Sequence, residues 1–173
     1  YEKRDYVYSN LTAEGCQIYF DTYDPSDACK FYRWEYEETW EIRLPFSDAL
    51  NPLCWASEKS SDIFLKNTAL LNENTVRRYP IKLIPNPVEK LVVKYSILLT
   101  QYSLNEGEYH YWEKLQNSTQ QVGGLYDIIP STITGNIFCQ EDRMEKVLGY
   151  FSVSSVKSKR IFIKDNFTGR NGL

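Results

Sequence analysis

The clearest pattern in the sequence is a strict alternation of apolar and polar side chains across residues 31–46. A period of two places alternate residues on opposite faces of a pleated strand, whereas helical spacing would scatter the same aromatic rings around the axis. The stretch therefore predicts one long strand whose rings point into the protein, with Glu38 as the only interruption of the apolar face. The apolar set is Tyr32, Trp34, Tyr36, Trp40, Ile42 and Leu44, and the polar set is Arg33, Glu35, Glu37, Thr39, Glu41 and Arg43.

Other segments predict further extended structure and one helix. Residues 91–102 alternate in the same way and predict a second long strand. After it the period changes, because Ser103-Leu104-Asn105-Glu106 fits a capping box and apolar residues then recur at helical spacing, which predicts a short helix at about 104–116. Shorter strands or extended runs are predicted at 15–22, 54–55, 62–66, 79–84, 132–139, 146–153 and 160–164.

This succession of strands with one helix is typical of a mainly β protein, an antiparallel β-sandwich or a barrel-like sheet. At 173 residues the chain, 1–173, is long enough to bury a core and is predicted to be a single domain. Residues 166–173 contain Gly169 and Gly172 and are predicted to form a flexible tail.

Charge and hydropathy exclude two classes of function. The net charge is −3 and the basic residues are scattered, which argues against a nucleic-acid surface, since that needs a clustered basic footprint. No apolar run approaches the length of about 18 residues that would cross a bilayer. The sequence also lacks an initial Met and a signal-like segment, so we expect it to be part of a longer chain.

Four cysteines allow buried thiols or disulfides. With a single His and no C-x-x-C spacing, a Cys/His zinc cluster is not predicted. If residues 15–21 and the segment after Asp24-Pro25-Ser26-Asp27 form a hairpin, Cys16 and Cys29 face each other across it and are the candidate disulfide. Cys54 and Cys139 are the second candidate pair, by elimination.

Several polar residues are candidates for chemistry. Glu35, Glu37 and Glu41 are candidates for paired hydrolytic carboxylates or cation ligands, but alternation favours a solvated strand face with Arg33 and Arg43 as partners. The position of Glu38 among inward rings predicts an ion pair with an Arg, a bulge or a functional acid of raised pKa.

Neither His110 nor the aromatic residues predict a reaction. His110 lacks a nucleophile motif around it, which favours an exposed helix position. The Tyr and Trp residues suit a peptide- or sugar-binding groove, but most of them are needed for the core. We expect no enzymatic activity, no cofactor and no metal.

Several segments together resemble an uncharacterised family of Bacteroidota outer-membrane lipoproteins, often encoded beside TonB-dependent transporters. They are Tyr32-Arg33-Trp34-Glu35-Tyr36-Glu37-Glu38-Thr39-Trp40-Glu41, Cys54-Trp55, Tyr95-Ser96-Ile97, Gln101-Tyr102-Ser103-Leu104, Tyr109 with Tyr111-Trp112, the run from Gly124-Leu125-Tyr126-Asp127 to Pro130, Thr134-Gly135-Asn136-Ile137 and Gly149-Tyr150-Phe151.

The resemblance implies that the chain is the C-terminal portion of a longer lipoprotein, attached to the outer membrane by a lipid upstream of this sequence and facing the cell surface. It implies an accessory role in a nutrient uptake complex, with the transporter and its lipoproteins as partners and a peptide or glycan as ligand. A surface adhesin or a carbohydrate- or matrix-binding module is the alternative. No catalytic residue is established for the family, so none is assigned here.

Overall fold

The strands of the chain form two antiparallel sheets that pack face to face, with one helix outside them. A computed structural model describes residues 1–8, 11–43, 52–86, 89–120, 133–145 and 147–167. The elements are β1 (Glu2–Tyr8), β2 (Leu11–Tyr23), β3 (Phe31–Arg43), β4 (Leu53–Lys59), β5 (Phe64–Asn67), β6 (Thr75–Pro85), a 3-10 turn (Glu89–Leu91), β7 (Lys94–Leu104), α1 (Glu106–Gln120) and β8 (Ser155–Ile163).

Strand β3 is the centre of the larger sheet, whose order is β4-β3-β7-β8, with β5 also paired to β3. Its ladder with β7 runs without a register shift from Phe31↔Leu104 to Glu41↔Lys94. Trp34 is 1% exposed, and Trp40 is half-buried. The alternation therefore predicted both the strand and the face that it buries; residues 44–46 of the prediction lie outside the described residues.

The smaller sheet has the order β1-β2-β6, so β6 is an edge strand. This position explains how a strand can contain Pro80, which has no N–H to donate to a central ladder. The pairing of β2 with β6 shifts twice, between Ile18 and Tyr19 and between Phe20 and Thr22. Each shift adds one residue to β6, and irregularities of this kind bend and twist a strand pair.

One core fills the space between the sheets. The Trp34 ring packs against Phe20 at 4.6 Å and Tyr79 at 5.9 Å between ring centroids, which joins β3 to β2 and β6. The remaining buried members come from both sheets, and the sheets do not close into a barrel. The predicted mainly β, sandwich-like architecture is confirmed. Other core members are Cys16, Ile18, Ile81, Ile84, Tyr95, Ile97 and Ile163.

Helix α1 begins and ends later than the sequence predicts. β7 continues to Leu104, and Asn105 caps the helix by accepting the Glu108 N–H at 2.9 Å. A side-chain acceptor two residues after Ser103 therefore replaces the predicted cap. The helix covers the outer face of β3 and β5, where Tyr109 is buried. Of the described helices, none is long and apolar enough to cross a bilayer.

Two predicted strands, 132–139 and 146–153, are wrong in the part of the chain that is described. Residues 133–145 and 147–154 are irregular, and instead of a ladder the Asn136 side chain donates to the Phe151 carbonyl and accepts its N–H, both at 2.7 Å. A Cβ on Gly135 would lie 1.5 Å from the Gly149 carbonyl oxygen, so the two segments cross too closely for a side chain there. The third prediction, 160–164, falls largely within β8.

The predicted tail is packed at its start. The Asn166 carbonyl accepts from Lys3 Nζ at 2.5 Å, and the Phe167 ring lies against the core with Lys3 above it. Residues 168–173 lie outside the described part.

The hairpin on which the Cys16–Cys29 pair was based does not form. β2 pairs with β1 and β6, where Cys16 faces Lys3 and Ile84, whereas β3 belongs to the other sheet. All four cysteines, including Cys54 and Cys139, are free thiols in the structure. The register argument is thus wrong, and disulfide pairing stays a prediction without that geometric support.

Candidate functional site

The space between the sheets opens at one end into a cleft of about 860 Å³. It lies between the last residues of β2 on one side and strands β7 and β8 on the other. Its floor is apolar and continuous with the core. The floor residues are Ile18, Phe20, Ile97, Leu99 and Ile161.

Polar side chains occupy inward-facing positions of β7 and β8 at this end. β8 pairs with β7 so that Ile161 lies opposite Ile97, Lys159 opposite Leu99 and Lys157 opposite Gln101. Because successive side chains alternate between faces, both lysines share the inner face with buried Ile97. Burying two ammonium groups between the sheets would cost more free energy than the apolar contacts would contribute. This end therefore stays open to water.

The path of β2 widens the opening. Its last residues follow the two register shifts against β6, and Arg78 in the second shifted region has a φ of 47°. The Asp21 carboxylate accepts the Arg78 N–H at 2.6 Å, which satisfies the backbone at this unusual conformation. β1 pairs with β2 from Leu11 to Gln17, and Tyr1, which precedes β1, lines the cleft.

The cations of the cleft are free and its anions are engaged. Neither Lys157 nor Lys159 has an ion pair among the described residues, and both are exposed. Asp24 accepts hydrogen bonds from the Ser26 hydroxyl and from the N–H groups of Ser26, Ala28 and Cys29. These bonds, led by that of the Ser26 hydroxyl, lower the pKa of Asp24. The β8 side of the cleft is therefore suited to an anionic group.

Two polar links connect the cleft to the core beneath it. Trp34 Nε1 donates to Gln101 Oε1 at 2.9 Å, which satisfies an indole that is otherwise buried. The single proton of the Tyr32 hydroxyl has two acceptors within reach, the Cys29 carbonyl oxygen at 2.8 Å and Asn74 Oδ1 at 3.1 Å. Burial raises the pKa of Tyr32 to about 12, so this hydroxyl is a neutral donor.

The opposite end of the sandwich encloses Glu38, which is 1% exposed. Its carboxylate accepts from the Tyr95 hydroxyl at 2.6 Å and from Lys90 Nζ at 3.0 Å, and Lys82 Nζ lies 3.4 Å away. Lys90 also binds the exposed Glu58 at 2.6 Å. The ion pair predicted for Glu38 forms, but with Lys82 and Lys90 rather than with an arginine. Because β3 pairs with β4 and β7 without a shift, the predicted bulge is wrong.

The acidic residues of β3 do not converge. Glu38 points between the sheets, whereas Glu35 and Glu37 lie on the outer face of the same strand. Glu35 binds Arg33 at 3.1 Å and accepts from the Tyr102 hydroxyl. This arrangement does not provide the facing carboxylates of a glycoside hydrolase.

Arg33, the other outer-face residue of this group, is held between two rings. Its guanidinium carbon lies 4.2 Å from the Tyr102 ring centroid and 4.4 Å from that of Trp112. Glu41 differs from the solvated position predicted for it, because neighbouring Trp55 and Lys94 on β4 and β7 leave it only 9% exposed.

His110 lies on the exposed side of α1, as predicted, with Glu113 Oε2 at 3.2 Å from its Nδ1. Among the described residues, no group of three or more His, Cys, Asp or Glu side chains is placed to hold a metal ion.

Segments that carried the family resemblance meet at the start of α1. The Tyr150 hydroxyl is 3.4 Å from Asn105 Oδ1, and its ring packs on Tyr111 at 5.5 Å. A Cβ on Gly107 would lie 2.6 Å from the Tyr150 hydroxyl, so a larger residue in the first turn of the helix would require the Tyr150 side chain to shift. These contacts pack the helix against the irregular segment, and we interpret their role as structural.

Sequence reasoning missed the residues of the cleft. The signal was present: Ile161 and Ile163 are inward on β8, and a period of two places Lys157 and Lys159 on the same face. The predicted strand begins at residue 160, three residues before the end of β8, and therefore does not include either lysine. No local sequence pattern indicates that the space between the sheets is open at this end.

A family model described as a domain of unknown function (DUF4249) matches residues 1–160. The chain belongs to this family. A search of curated proteins and a search of solved structures found no match. The expected uncharacterised family is therefore confirmed, and the family itself assigns no chemistry to the cleft.

Proposed function

We propose that this DUF4249 domain is a non-enzymatic binding module of a Bacteroidota outer-membrane lipoprotein, acting at the cell surface beside a TonB-dependent transporter. The ligand held in the inter-sheet cleft is a peptide or a glycan on its way to the transporter. The observation that carries the proposal is the cleft itself, in which inward-facing polar residues keep one end of the sandwich open. Its volume of about 860 Å³ falls within the range of ligand sites, roughly 300–1,000 Å³.

Exposed apolar side chains support assembly with a partner. Residues 137–153 carry several large apolar groups that are each more than half exposed. Apolar surface concentrated in one segment is typical of a protein–protein contact, because its removal from water stabilises a complex. We assign this segment to the contact with the transporter or its lipoproteins. The groups are Phe138, Met144, Leu148, Phe151 and Val153.

Co-purification tests the proposal. The full-length protein, tagged at its native locus and extracted from outer membranes in mild detergent, is expected to bring down a TonB-dependent transporter that mass spectrometry identifies. The variant Phe151→Ser/Val153→Ser should lose that partner and keep its fold, since both side chains are exposed. The matched variant Leu70→Ser, a 95% exposed residue elsewhere on the surface, should retain it.

Other outcomes would contradict the proposal. Solitary behaviour at native expression would remove the transporter from it. Binding of the domain to matrix proteins or surface polysaccharide without any transporter would favour the adhesin alternative. A lipid-free mature protein in the soluble fraction would contradict the lipoprotein assignment.

A further inference from the structure

We infer that the outer face of the larger sheet binds an uncharged glycan at a second site, built by Glu41 with Trp55, Lys94 and Phe162 around it. Glu41 accepts hydrogen bonds from the sugar hydroxyls, Lys94 donates to them, and the Trp55 ring supports the apolar face of the sugar. The site lies on the opposite side of this sheet from the cleft, so it goes beyond the proposed function and does not rest on it.

The register of the larger sheet brings the four side chains together. Glu41 on β3 lies directly opposite Trp55 on β4 and Lys94 on β7. Phe162 on β8 is opposite Ser96, two residues after Lys94 and therefore on the same face. Lys94 Nζ lies 5.6 Å from the Trp55 ring centroid and 5.1 Å from that of Phe162, so the ammonium is placed between the two rings.

Glu41 is the residue that points to a ligand. Only 9% of it is exposed, yet within the described residues its carboxylate has neither an ion pair nor a hydrogen-bond donor. Glu38, the other buried carboxylate of β3, is bound by Tyr95 and two lysines. A buried charge without a donor is costly, so the Glu41 carboxylate gains from any ligand that donates to it.

The carboxylate of Glu41 is covered but accessible. Of the described side chains, only Arg33 and Thr75 hold a polar atom that is both sealed from water and without a partner. The Glu41 oxygens therefore reach the surface, next to an indole that is 58% exposed. An exposed ring beside a fixed acceptor matches the two surfaces of a sugar, its apolar C–H face and its hydroxyl edge.

The charges around the site favour a neutral ligand. A cation would suit Glu41 and the rings, but the Lys94 ammonium next to both rings repels it. An anion would suit Lys94 but would bring its charge to the unpartnered carboxylate of Glu41. A hydroxyl group satisfies both residues, because it can donate to the carboxylate and accept from the ammonium. We therefore commit to an uncharged glycan, with charged glycans as competing outcomes.

The site lies on the other side of the larger sheet from the start of the chain. Tyr1 lines the cleft between the sheets, whereas Glu41 and Trp55 are on the outer face. The test nevertheless uses the full-length protein, in which any segment or domain seated on Trp55 would protect its indole from a quencher.

Acrylamide quenching of tryptophan fluorescence is the readout. The emission that is lost in Trp55→Phe reports this indole, which should be readily quenched in the free protein and protected when a glycan binds. The probes are neutral hexasaccharides of glucose, mannose, galactose and xylose, with oligogalacturonate and hexameric chitosan as charged counterparts. We expect a neutral hexasaccharide to bind with an affinity that changes less than about twofold between about 50 and 500 mM salt, since it has no charge to screen.

Two pairs of variants locate the binding. Glu41→Gln should weaken it about tenfold, the effect of one charge-assisted hydrogen bond, whereas Glu37→Gln removes the same charge from the same face of β3 and should not. Trp55→Ala should also weaken it about tenfold, because the ring is lost. Phe138→Ala, at a ring that is 66% exposed on the irregular segment, should leave it unchanged.

Lys94→Gln tests the charge argument. The variant removes the ammonium beside Glu41 and leaves a carboxylate next to two rings, which is a site for a cation. We expect Lys94→Gln to bind hexameric chitosan, which the native protein should not bind.

The contrary results are specific. Binding of no neutral hexasaccharide at millimolar concentration, tighter binding of a charged probe by the native protein, equal effects of Glu41→Gln and Glu37→Gln, or a Trp55 indole that is protected before glycan is added each overturn the inference. Glycan binding that is lost in Lys157→Gln/Lys159→Gln and kept in Trp55→Ala also overturns it, but supports the cleft as the ligand site of the proposed function. Failure of the proposed function is registered separately, by loss of transporter co-purification.

Discussion

The two ends of the sandwich differ in how they accommodate a charged side chain that faces inward. At the closed end, Glu38 is surrounded by Tyr95, Lys82 and Lys90, and the sheets pack tightly around it. At the open end, Lys157 and Lys159 also occupy inward positions, but they form no ion pair among the described residues and they line the cleft. At both ends, strand alternation points a charged side chain toward the space between the sheets. The ends differ in whether that charge has an ion-pair partner among the described residues.

The comparison indicates which end of the fold contributes more to stability and which end can bind a ligand. A carboxylate that is fully satisfied by internal donors permits a dry core, whereas an unsatisfied ammonium requires water or a ligand. The closed end is therefore expected to govern folding, and the open end to govern binding. The predictions below test this division from the largest expected effect to the smallest.

Trp34→Ala should break the closed core. Its ring is 1% exposed and contacts rings from two other strands, so truncation leaves a large cavity, and we expect the free energy of unfolding to fall by about 3–5 kcal/mol. Chemical denaturation measures the change. Trp55→Ala is the matched control: this indole is 58% exposed, and its loss should cost less than about 1 kcal/mol. Similar losses for both would contradict the assigned core.

Glu38→Ala should be the next most damaging change. It leaves Lys82, Lys90 and the buried Tyr95 hydroxyl without their shared acceptor, and we expect a loss of about 2–3 kcal/mol in urea denaturation. Glu58→Ala removes the other partner of Lys90, but at a side chain that is 58% exposed, and should cost about 0.5 kcal/mol or less. A neutral effect of Glu38→Ala would mean that the closed end is not held by its charge pair.

The alkaline limit of stability should depend on Tyr95. Burial, and then its hydrogen bond to Glu38, raise the pKa of Tyr95 far above its ordinary value of 10.0. Above pH 10 the unfolded chain loses this proton and the folded chain keeps it, so the free energy of unfolding falls by about 1.4 kcal/mol per pH unit; below pH 10 the contribution is fully present.

Tyr95→Phe should therefore reduce the slope of stability against pH by one proton above pH 10, as measured by denaturation in a pH series. Tyr32→Phe, at the open end, should reduce the slope only between pH 10 and about 12, because the pKa of Tyr32 is about 12. An unchanged slope in Tyr95→Phe would contradict the assignment of a buried, neutral hydroxyl.

The sequence predicted which face of a strand is buried better than it predicted which strands pair with each other. For β3 and β7, alternation identifies both the extended backbone and the buried side, because it follows from the pleat alone. The partner of β2 is β6, more than fifty residues later, and no local pattern encodes it, which is why the Cys16–Cys29 hairpin was wrong.

The same limit applies to the irregular segment and to the cleft. Residues 133–139 and 147–153 have strand-like composition, but Asn136 and the Gly135–Gly149 contact replace a ladder. The cleft depends on register shifts between β2 and β6, and these appear only when the pairing is known.

Gln101→Ala tests whether water reaches the boundary between the open and closed ends of the sandwich. The variant removes the acceptor of the Trp34 N–H, a group that would cost about 1–3 kcal/mol if left unsatisfied in a dry core. Because Gln101 lines the cleft, water can replace it, and we expect a loss of about 1 kcal/mol in urea denaturation. Gln101→Glu keeps the acceptor and should cost less. A loss near about 3 kcal/mol would show that water does not reach the Trp34 N–H at this end.

The smallest expected effect is that of Lys157→Gln/Lys159→Gln on stability. Both side chains are exposed and unpaired among the described residues, so the change in the free energy of unfolding should stay within about 0.5 kcal/mol, like that of Lys59→Gln/Lys66→Gln. Lys159→Leu should instead stabilise the fold slightly, since this position faces inward opposite Leu99. If the native lysine serves the proposed ligand site, an apolar residue that improves folding at this position would place stability and function in opposition. If Lys159→Leu destabilised the protein, the lysine would have a structural partner, and the open end would have to be assigned to folding rather than to binding.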